Sequence, residues 1–227
     1  MHTTAVRYLV RPMNLGDIPQ VMEIERESFP AIWPQTAFKR ELQQNRLARY
    51  LVAVEAQDQP PSEAEAPPAA GPEPSGLVRF LADVRHVFAG EEEPPLPPPE
   101  ARPLLIVGFV GVWIMADEAH IVTIAVRESH RGRGIGELLL IAAIEVAHHN
   151  QRSVISLECR ASNTVALKLY EKYSFKQVGI RPRYYSDNQE DACLLARDRV
   201  QSPAFQDLFQ RLKREHSQRW GECRLQL

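Results

Sequence analysis

The stretch His120–Gly136, HIVTIAVRESHRGRGIG, decides how the rest of the chain is read. It opens on alternating and β-branched residues (Ile121, Val122, Thr123, Ile124, Val126), the pattern of a half-buried or buried strand. A polar turn then leads into a loop spaced by Gly132, Gly134 and Gly136. Beyond Gly134 the run IGELLLIAAIEVAHHN is rich in strong helix formers and long enough for about four turns. In a strand–glycine loop–helix unit, backbone N–H groups can approach a ligand closely and the helix N-terminus favours negative charge, so a phosphate or pyrophosphate is the natural ligand. A Walker loop would need Lys then Ser or Thr after its last glycine, but Gly136 is followed by Glu137 and Leu138. A dinucleotide fingerprint would need glycine where Glu137 stands. What remains is Arg131-Gly132-Arg133-Gly134-Ile135-Gly136, an Arg-x-x-Gly-x-Gly loop. A plain glycine-rich turn would share that pattern, so the context has to carry the reading.

The 227 residues allow one domain with additions or two small ones, and the 44% hydrophobic content is enough for a real core. A net charge of −2 gives no basic balance to argue for nucleic acid. Cys159, Cys193 and Cys223 have no metal-like spacing, cannot form a complete disulfide set, and suggest a reducing interior. His148-His149 at a helix end suits the helix dipole better than a metal site. No apolar run approaches the ~20 residues of a membrane span, and MHTTAVRYLVRPMN lacks the long apolar core of a secretory signal. The expectation is a soluble, cytoplasmic chain without membrane contact.

From the N-terminus, Ala5–Arg11 alternates as a first strand. Asp17 is positioned to cap a helix from Ile18 to about Ser28, with Pro19 in its first turn. Pro30 and Pro34 make Phe29–Pro34 a loop. A second helix follows over about 35–46, then a strand over Tyr50–Glu55. Residues 57–75 and 91–103 together hold twelve of the eighteen prolines. The span 57–103 therefore reads as an insertion, mobile or extended, with one amphipathic helix between its two flanks. Leu104–Met115 is almost continuously apolar, a strand buried on both faces that forms a hairpin with the strand of the opening stretch. Ser153–Glu158 is a short strand, and Asn163 caps a helix from Thr164 to about Tyr173. Phe175–Arg181 and Ala192–Ala196 are two more strands, joined through a turn-rich loop containing Tyr184 and Tyr185. Ser202-Pro203 opens a last helix with an apolar stripe of Phe205, Leu208, Phe209 and Leu212. The class is α/β, a mixed central sheet flanked by helices.

A second constellation, Leu157-Glu158-Cys159-Arg160-Ala161-Ser162-Asn163 followed by Leu169-Tyr170-Glu171, makes a family recognisable. With the glycine loop it resembles the GCN5-related N-acetyltransferases (GNAT), and closely the ribosomal-protein-alanine N-acetyltransferases, whose hallmark is Leu-Glu-x-Arg-x-x-Asn followed by Ala-x-x-Leu-Tyr. The resemblance covers about 5–55 and 104–197, strongest from Ile121 to Tyr185. It implies the GNAT acyl-coenzyme A N-acyltransferase fold over 1–56 and 104–198, with the 57–103 insertion and a C-terminal helix in 199–227 outside it. Two departures stand out. Tyr173-Ser174-Phe175 lacks the glycine that usually ends the helix, and Phe29–Pro34 is two residues longer than the family's corresponding segment.

The resemblance implies acetyl-coenzyme A as cosubstrate and a protein N-terminal α-amine as acceptor, with an Ala-starting ribosomal protein as leading partner. An α-amine has a pKa near 8 and must lose a proton before it attacks a thioester. Glu158 at a strand end is the implied base and Tyr170 the implied acid for the departing thiolate. Backbone from Ile124-Ala125-Val126 would face the oxyanion and the pantetheine arm. Arg131, Gly132, Arg133, Gly134, Ile135, Gly136 and Glu137 would hold the pyrophosphate, and Asn163 would serve as helix cap and cofactor contact. Trp33, Tyr184 and Tyr185 would line the acceptor site. Attack is expected to be direct, without a covalent acyl-enzyme and without a metal. Two alternatives stay open: a small amine or lysine side chain as acceptor, and an acyl-coenzyme A-binding module without turnover.

Overall fold

A computed structural model of the protein describes residues 7–30, 34–55 and 104–227. The 57–103 insertion and Trp33 therefore lie outside the described residues. In chain order the elements are β1 (Tyr8–Pro12), α1 (Ile18–Ser28), α2 (Gln35–Gln44), β2 (Ala48–Glu55), β3 (Ile106–Ile114) and β4 (Glu118–Val126). They continue with α3 (Ile135–His149), β5 (Val154–Arg160), α4 (Thr164–Lys172), β6 (Lys176–Tyr185), β7 (Glu190–Arg197), α5 (Pro203–Trp220) and β8 (Cys223–Leu225). Among the described residues eight strands form one sheet in the order β6-β7-β5-β4-β3-β2-β1-β8. The β4–β5 and β1–β8 pairs are parallel, the others antiparallel.

The period-2 alternation of the strands divides the core between the two faces of the sheet. On one face Val10, Leu51, Val107, Ile121, Leu157 and Cys159 pack under α3, which is apolar nearly all round, and beside it α5 contributes Phe205, Phe209 and Leu212. On the other face Val52, Val54, Ile106 and Phe109 meet Val21 and Ile24 of α1 and Phe38 of α2. β3 is buried along almost its whole length, as its apolar run predicts. Glu145, buried inside α3, is matched by Lys213 of α5, so the one carboxylate this helix hides has its cation.

Helix ends follow the sequence signals with two differences. Asn163 caps α4, its side chain accepting from Ala166 N at 3.2 Å. Asp17, however, does not cap α1 with its side chain. Its carboxylate accepts from Asn14 N at 2.8 Å and pairs with Arg11 at 2.6 Å, stitching β1 to the short 3-10 turn before the helix. At the end of α4, Ser174 adopts the left-handed conformation itself, at φ 60°. Ser174 N–H donates to Glu171 O at 2.8 Å and Phe175 N–H to Tyr170 O at 3.0 Å. These bonds, with the Tyr170 and Phe175 rings 5.8 Å apart, are a Schellman cap built without glycine.

Two further corrections concern strands. Tyr184 and Tyr185 end β6 rather than sitting in the following turn, because β6 runs four residues past Arg181. A short β8, not foreseen from its three residues, pairs with the outer edge of β1 through Tyr8–Cys223, Leu9–Arg224 and Val10–Leu225.

Candidate active site

The site is set by a parting of two parallel strands. β4 and β5 pair only from Glu118–Val154 to Ile121–Leu157. Past that point β5 stays with β7 as far as Arg160–Ala192, while β4 stays with β3 as far as Val126–Gly108. A one-residue register slip, with Gly111 opposite Thr123 but Val112 opposite Ile121, leaves Val122 as an extra residue where the strands part. Ile124, Ala125 and Val126 therefore run along an edge of β4 that β5 does not cover. Glu158 is the first residue of β5 beyond the shared register.

Alternation along β5 puts Glu158 and Cys159 on opposite faces. Glu158 projects to the α1/α2 face with Ser156, whose partner across the parallel pair is His120. Its side chain is 8% exposed, and both carboxylate oxygens are engaged: Oε2 with His120 Nε2 at 3.1 Å, Oε1 with Arg181 Nε at 2.9 Å. His120 Nδ1 meets Ser156 Oγ at 2.8 Å, and Ser156 Oγ donates in turn to Glu118. A hydrogen-bonded chain thus runs from the buried carboxylate to the partly exposed Glu118 at the start of β4. The Arg181 side chain is 54% exposed, so of the two partners of Glu158 it is the one free to leave.

On the other face, Tyr170 of α4 packs beside Cys159. Burial pushes its phenol well above the ordinary value, with Cys159 and Tyr185 adding in the same sense. The hydroxyl therefore stays protonated at neutral pH. Burial likewise raises the Cys159 thiol to about 11, which keeps it from acting as a nucleophile. Burial also raises the Tyr185 phenol, with Cys159 and Glu158 adding in the same sense and Arg160 opposing them. Arg160 does not pair with Glu158. Its guanidinium takes Asp187 at 2.8 Å and Glu190 at 3.1 Å and lies over the Tyr185 ring at 3.9 Å, fixing that tyrosine and the β6–β7 turn. Bonds from Ser162, then Arg160 and Asn188, hold the Glu190 carboxyl down to about 2. Tyr184 is half exposed beside Tyr185, with ring centroids 5.2 Å apart at 89°.

The glycine loop leads α3, and Gly134 at its N-cap is left-handed at φ 79°. Ile135, Gly136 and Glu137 are the first helical residues, whose N–H groups have no intrahelical acceptor. Among the described residues the N–H groups of Gly132, Arg133 and Gly134 also donate to no backbone carbonyl. Six consecutive donors at a helix N-terminus suit a pyrophosphate. Arg131 is less simple. Its N–H is given to Glu128 O at 3.2 Å, and its guanidinium braces Val126 O and the end of α1 at Glu27 O, each at 3.3 Å. The Glu137 carboxylate would oppose an anion, but Lys172 at 2.6 Å and Tyr173 OH at 2.8 Å draw it toward α4. Asn163 uses its side-chain oxygen as the α4 cap.

The structure thus gathers Glu158, Tyr170, Tyr185 and the free edge of β4 at the strand parting, with the loop donors at the head of α3. His120, Ser156 and Arg181 were not singled out from sequence. A histidine inside the apolar strand HIVTIAV is the one local signal, and it acquires meaning only through the β4–β5 register.

The profile of the acetyltransferase (GNAT) family matches residues 76–175. A putative [ribosomal protein bS18]-alanine N-acetyltransferase of Bacillus subtilis is 32% identical over 186 residues, 82% of this chain and 92% of that protein. An N-alpha-acetyltransferase of Saccharolobus solfataricus is 27% identical over 194 residues, 84% of this chain and 92% of that protein. The fold is shared with the ribosomal-protein-S18-alanine N-acetyltransferase of Escherichia coli, at a TM-score of 0.58 and 21% identity over 85% of this chain and 94% of that one.

Proposed function

The chain belongs to the acetyltransferase (GNAT) family, and from that premise we propose that this N-acetyltransferase moves acetyl from acetyl-coenzyme A to a protein N-terminal α-amine, an Ala-starting ribosomal protein being the first candidate. The observation that carries the reading is Glu158, buried where β4 and β5 separate, between the free edge of β4 and the tyrosines of β6. Residues on the two sides of the sheet divide the work. The acceptor approaches from the α1/α2 face, where its ammonium replaces Arg181 on Glu158. Glu158 takes the proton, and the His120–Ser156–Glu118 chain gives that proton a route outward. The loop donors and the β4 edge hold the pyrophosphate and pantetheine on the α3 side. Tyr170, kept protonated by burial, supplies a proton to the departing thiolate. Backbone N–H groups of Ile124–Val126 are the candidates for stabilising the oxyanion. Glu158 and Tyr170 act on opposite faces, so direct attack in a ternary complex needs neither group to move across the sheet. A cytoplasmic setting goes with a ribosomal acceptor.

The test is thiol release from acetyl-coenzyme A with an Ala-starting ribosomal N-terminal peptide, a lysine peptide with a blocked N-terminus, and small amines. Turnover is expected with the first, and Tyr170→Phe should lower it roughly 10²-fold or more while coenzyme A binding is kept. Turnover confined to small amines would overturn the peptide assignment. Tight coenzyme A binding without turnover on any amine would favour a binding module.

A further inference from the structure

The C-terminal helix lies beyond the segment matched by the family profile, yet it touches the cofactor loop at its critical residue. His216 of α5 is buried, and its Nε2–H donates to Gly134 O at 3.0 Å. One turn later the Trp220 ring lies against Gly134 so closely that a Cβ added there would sit 2.6 Å from the ring carbons. The same carbonyl also accepts from Leu138 N at 3.0 Å, the first bond of α3. Gly134 is therefore held at its carbonyl by α3 and α5 together and at its α-carbon by an indole. The need for glycine here is double. The left-handed φ of 79° disfavours any side chain, and the ring leaves no room for one.

Trp220 is itself anchored on both sides along the chain. Before it, α5 is pinned to α3 through Lys213–Glu145 and to α4 through Phe209 against Tyr173, with centroids 6.4 Å apart. After it, Gly221 turns the chain and β8 is stitched into the sheet edge beside β1. The indole is thus a fixed wall rather than a mobile tail residue.

We propose that Trp220 and His216 are positioning residues for the cosubstrate: they lock Gly134 in its left-handed conformation and so pre-set the loop N–H donors that receive the pyrophosphate. The inference rests on the acetyl-coenzyme A reading above. A loop already ordered loses less entropy on binding than one that must be ordered by its ligand, and the benefit falls on cofactor affinity rather than on the chemical step.

The experiment measures coenzyme A dissociation constants by calorimetry, and KM and kcat for acetyl-coenzyme A, in wild type, Trp220→Ala, Trp220→Phe and Leu212→Ala. Leu212 is a buried α5 residue two turns before Trp220, distinct from the two side chains that bond and crowd Gly134, so its truncation reports a merely looser helix. Trp220→Ala should raise the coenzyme A Kd and the acetyl-coenzyme A KM on the order of tenfold, with kcat and the peptide KM as in wild type. Trp220→Phe should recover part of the loss. Leu212→Ala should lower Tm with Kd unchanged. Wild-type affinity in Trp220→Ala, or an equal loss in Leu212→Ala, would overturn the inference while leaving the enzymatic reading intact. A wild-type protein that bound no coenzyme A would overturn both.

Discussion

Replacing Glu158 by Gln keeps the shape of the side chain and removes its charge and its ability to take a proton. The surroundings define how much else should change. Oε1 faces Arg181 Nε at 2.9 Å and Oε2 faces His120 Nε2 at 3.1 Å. The amide oxygen can go on accepting from Arg181, and the new N–H can donate to a His120 that directs its other ring nitrogen's proton to Ser156. Arg181 is more than half exposed and can return to water at little cost, so folding stability should move by less than about 1 kcal/mol. Coenzyme A affinity should hold, since no loop donor touches this carboxylate. Loss of a positioned general base costs roughly 10²–10⁴-fold in turnover, which is about 3–5 kcal/mol of activation free energy. Steady-state thiol release with saturating acetyl-coenzyme A and an Ala-starting peptide measures it. His120→Ala alone should give a smaller loss, and the double variant should be scarcely worse than Glu158→Gln, because the histidine works through the carboxylate. A kcat for Glu158→Gln within about threefold of wild type would refute Glu158 as the base. Additive losses in the double variant would refute the hydrogen-bonded chain as one unit.

Three further outcomes follow from local geometry. Burial pushes the Asp17 carboxyl up, but the bonds from Arg11 and Asn14 outweigh it and leave it below the ordinary value. A lowered folded-state pKa stabilises above the unfolded value near 4 and loses that contribution as pH falls through the folded value. Asp17→Asn should therefore cost roughly 1–3 kcal/mol near neutral pH and much less in strong acid, by denaturant melts; an equal cost at both would sink the ion-pair account. Ser174→Gly should stabilise by roughly 1 kcal/mol, since serine holds a left-handed cap at φ 60°, and an unchanged or lower Tm would contradict it. Gly111→Ala should destabilise by roughly 1–3 kcal/mol. Its Cβ would lie 2.5 Å from the Tyr50 ring, which is itself buried in the core, and a neutral thermal melt would show that the ring can yield.

What the sequence made legible is what depends on neighbours along the chain. The unit from β4 to α3 announces itself in one stretch, because β-branched alternation, glycine spacing and helix formers follow one another without interruption. The Asn163 and Ser202 caps and the all-round burial of β3 are local in the same sense. What stayed hidden depends on pairing across sequence distance. His120 and Glu158 meet only because β4 and β5 are parallel and in one particular register. Arg160, two residues from Glu158, shares its face of the strand without touching it, and its charge is taken by the β6–β7 turn, a pairing that proximity in sequence does not show. Cys223–Leu225 is too short to show any period. The contact of Trp220 with Gly134 joins two ends of the fold that no pattern in either segment foretells.

The pairing of β8 with β1 also sets an order of events during synthesis. β1 is made first of the eight strands and receives β2 along one edge once the chain has returned past Glu55. Its other edge has to wait for β8, more than two hundred residues further along the chain. Until β8 emerges the nascent domain presents an apolar, half-paired strand, the kind of edge that recruits other chains. A chain cut short after α5 would thus keep Glu158 and Tyr170 but leave the outer edge of β1 open, prone to associate with its own copies.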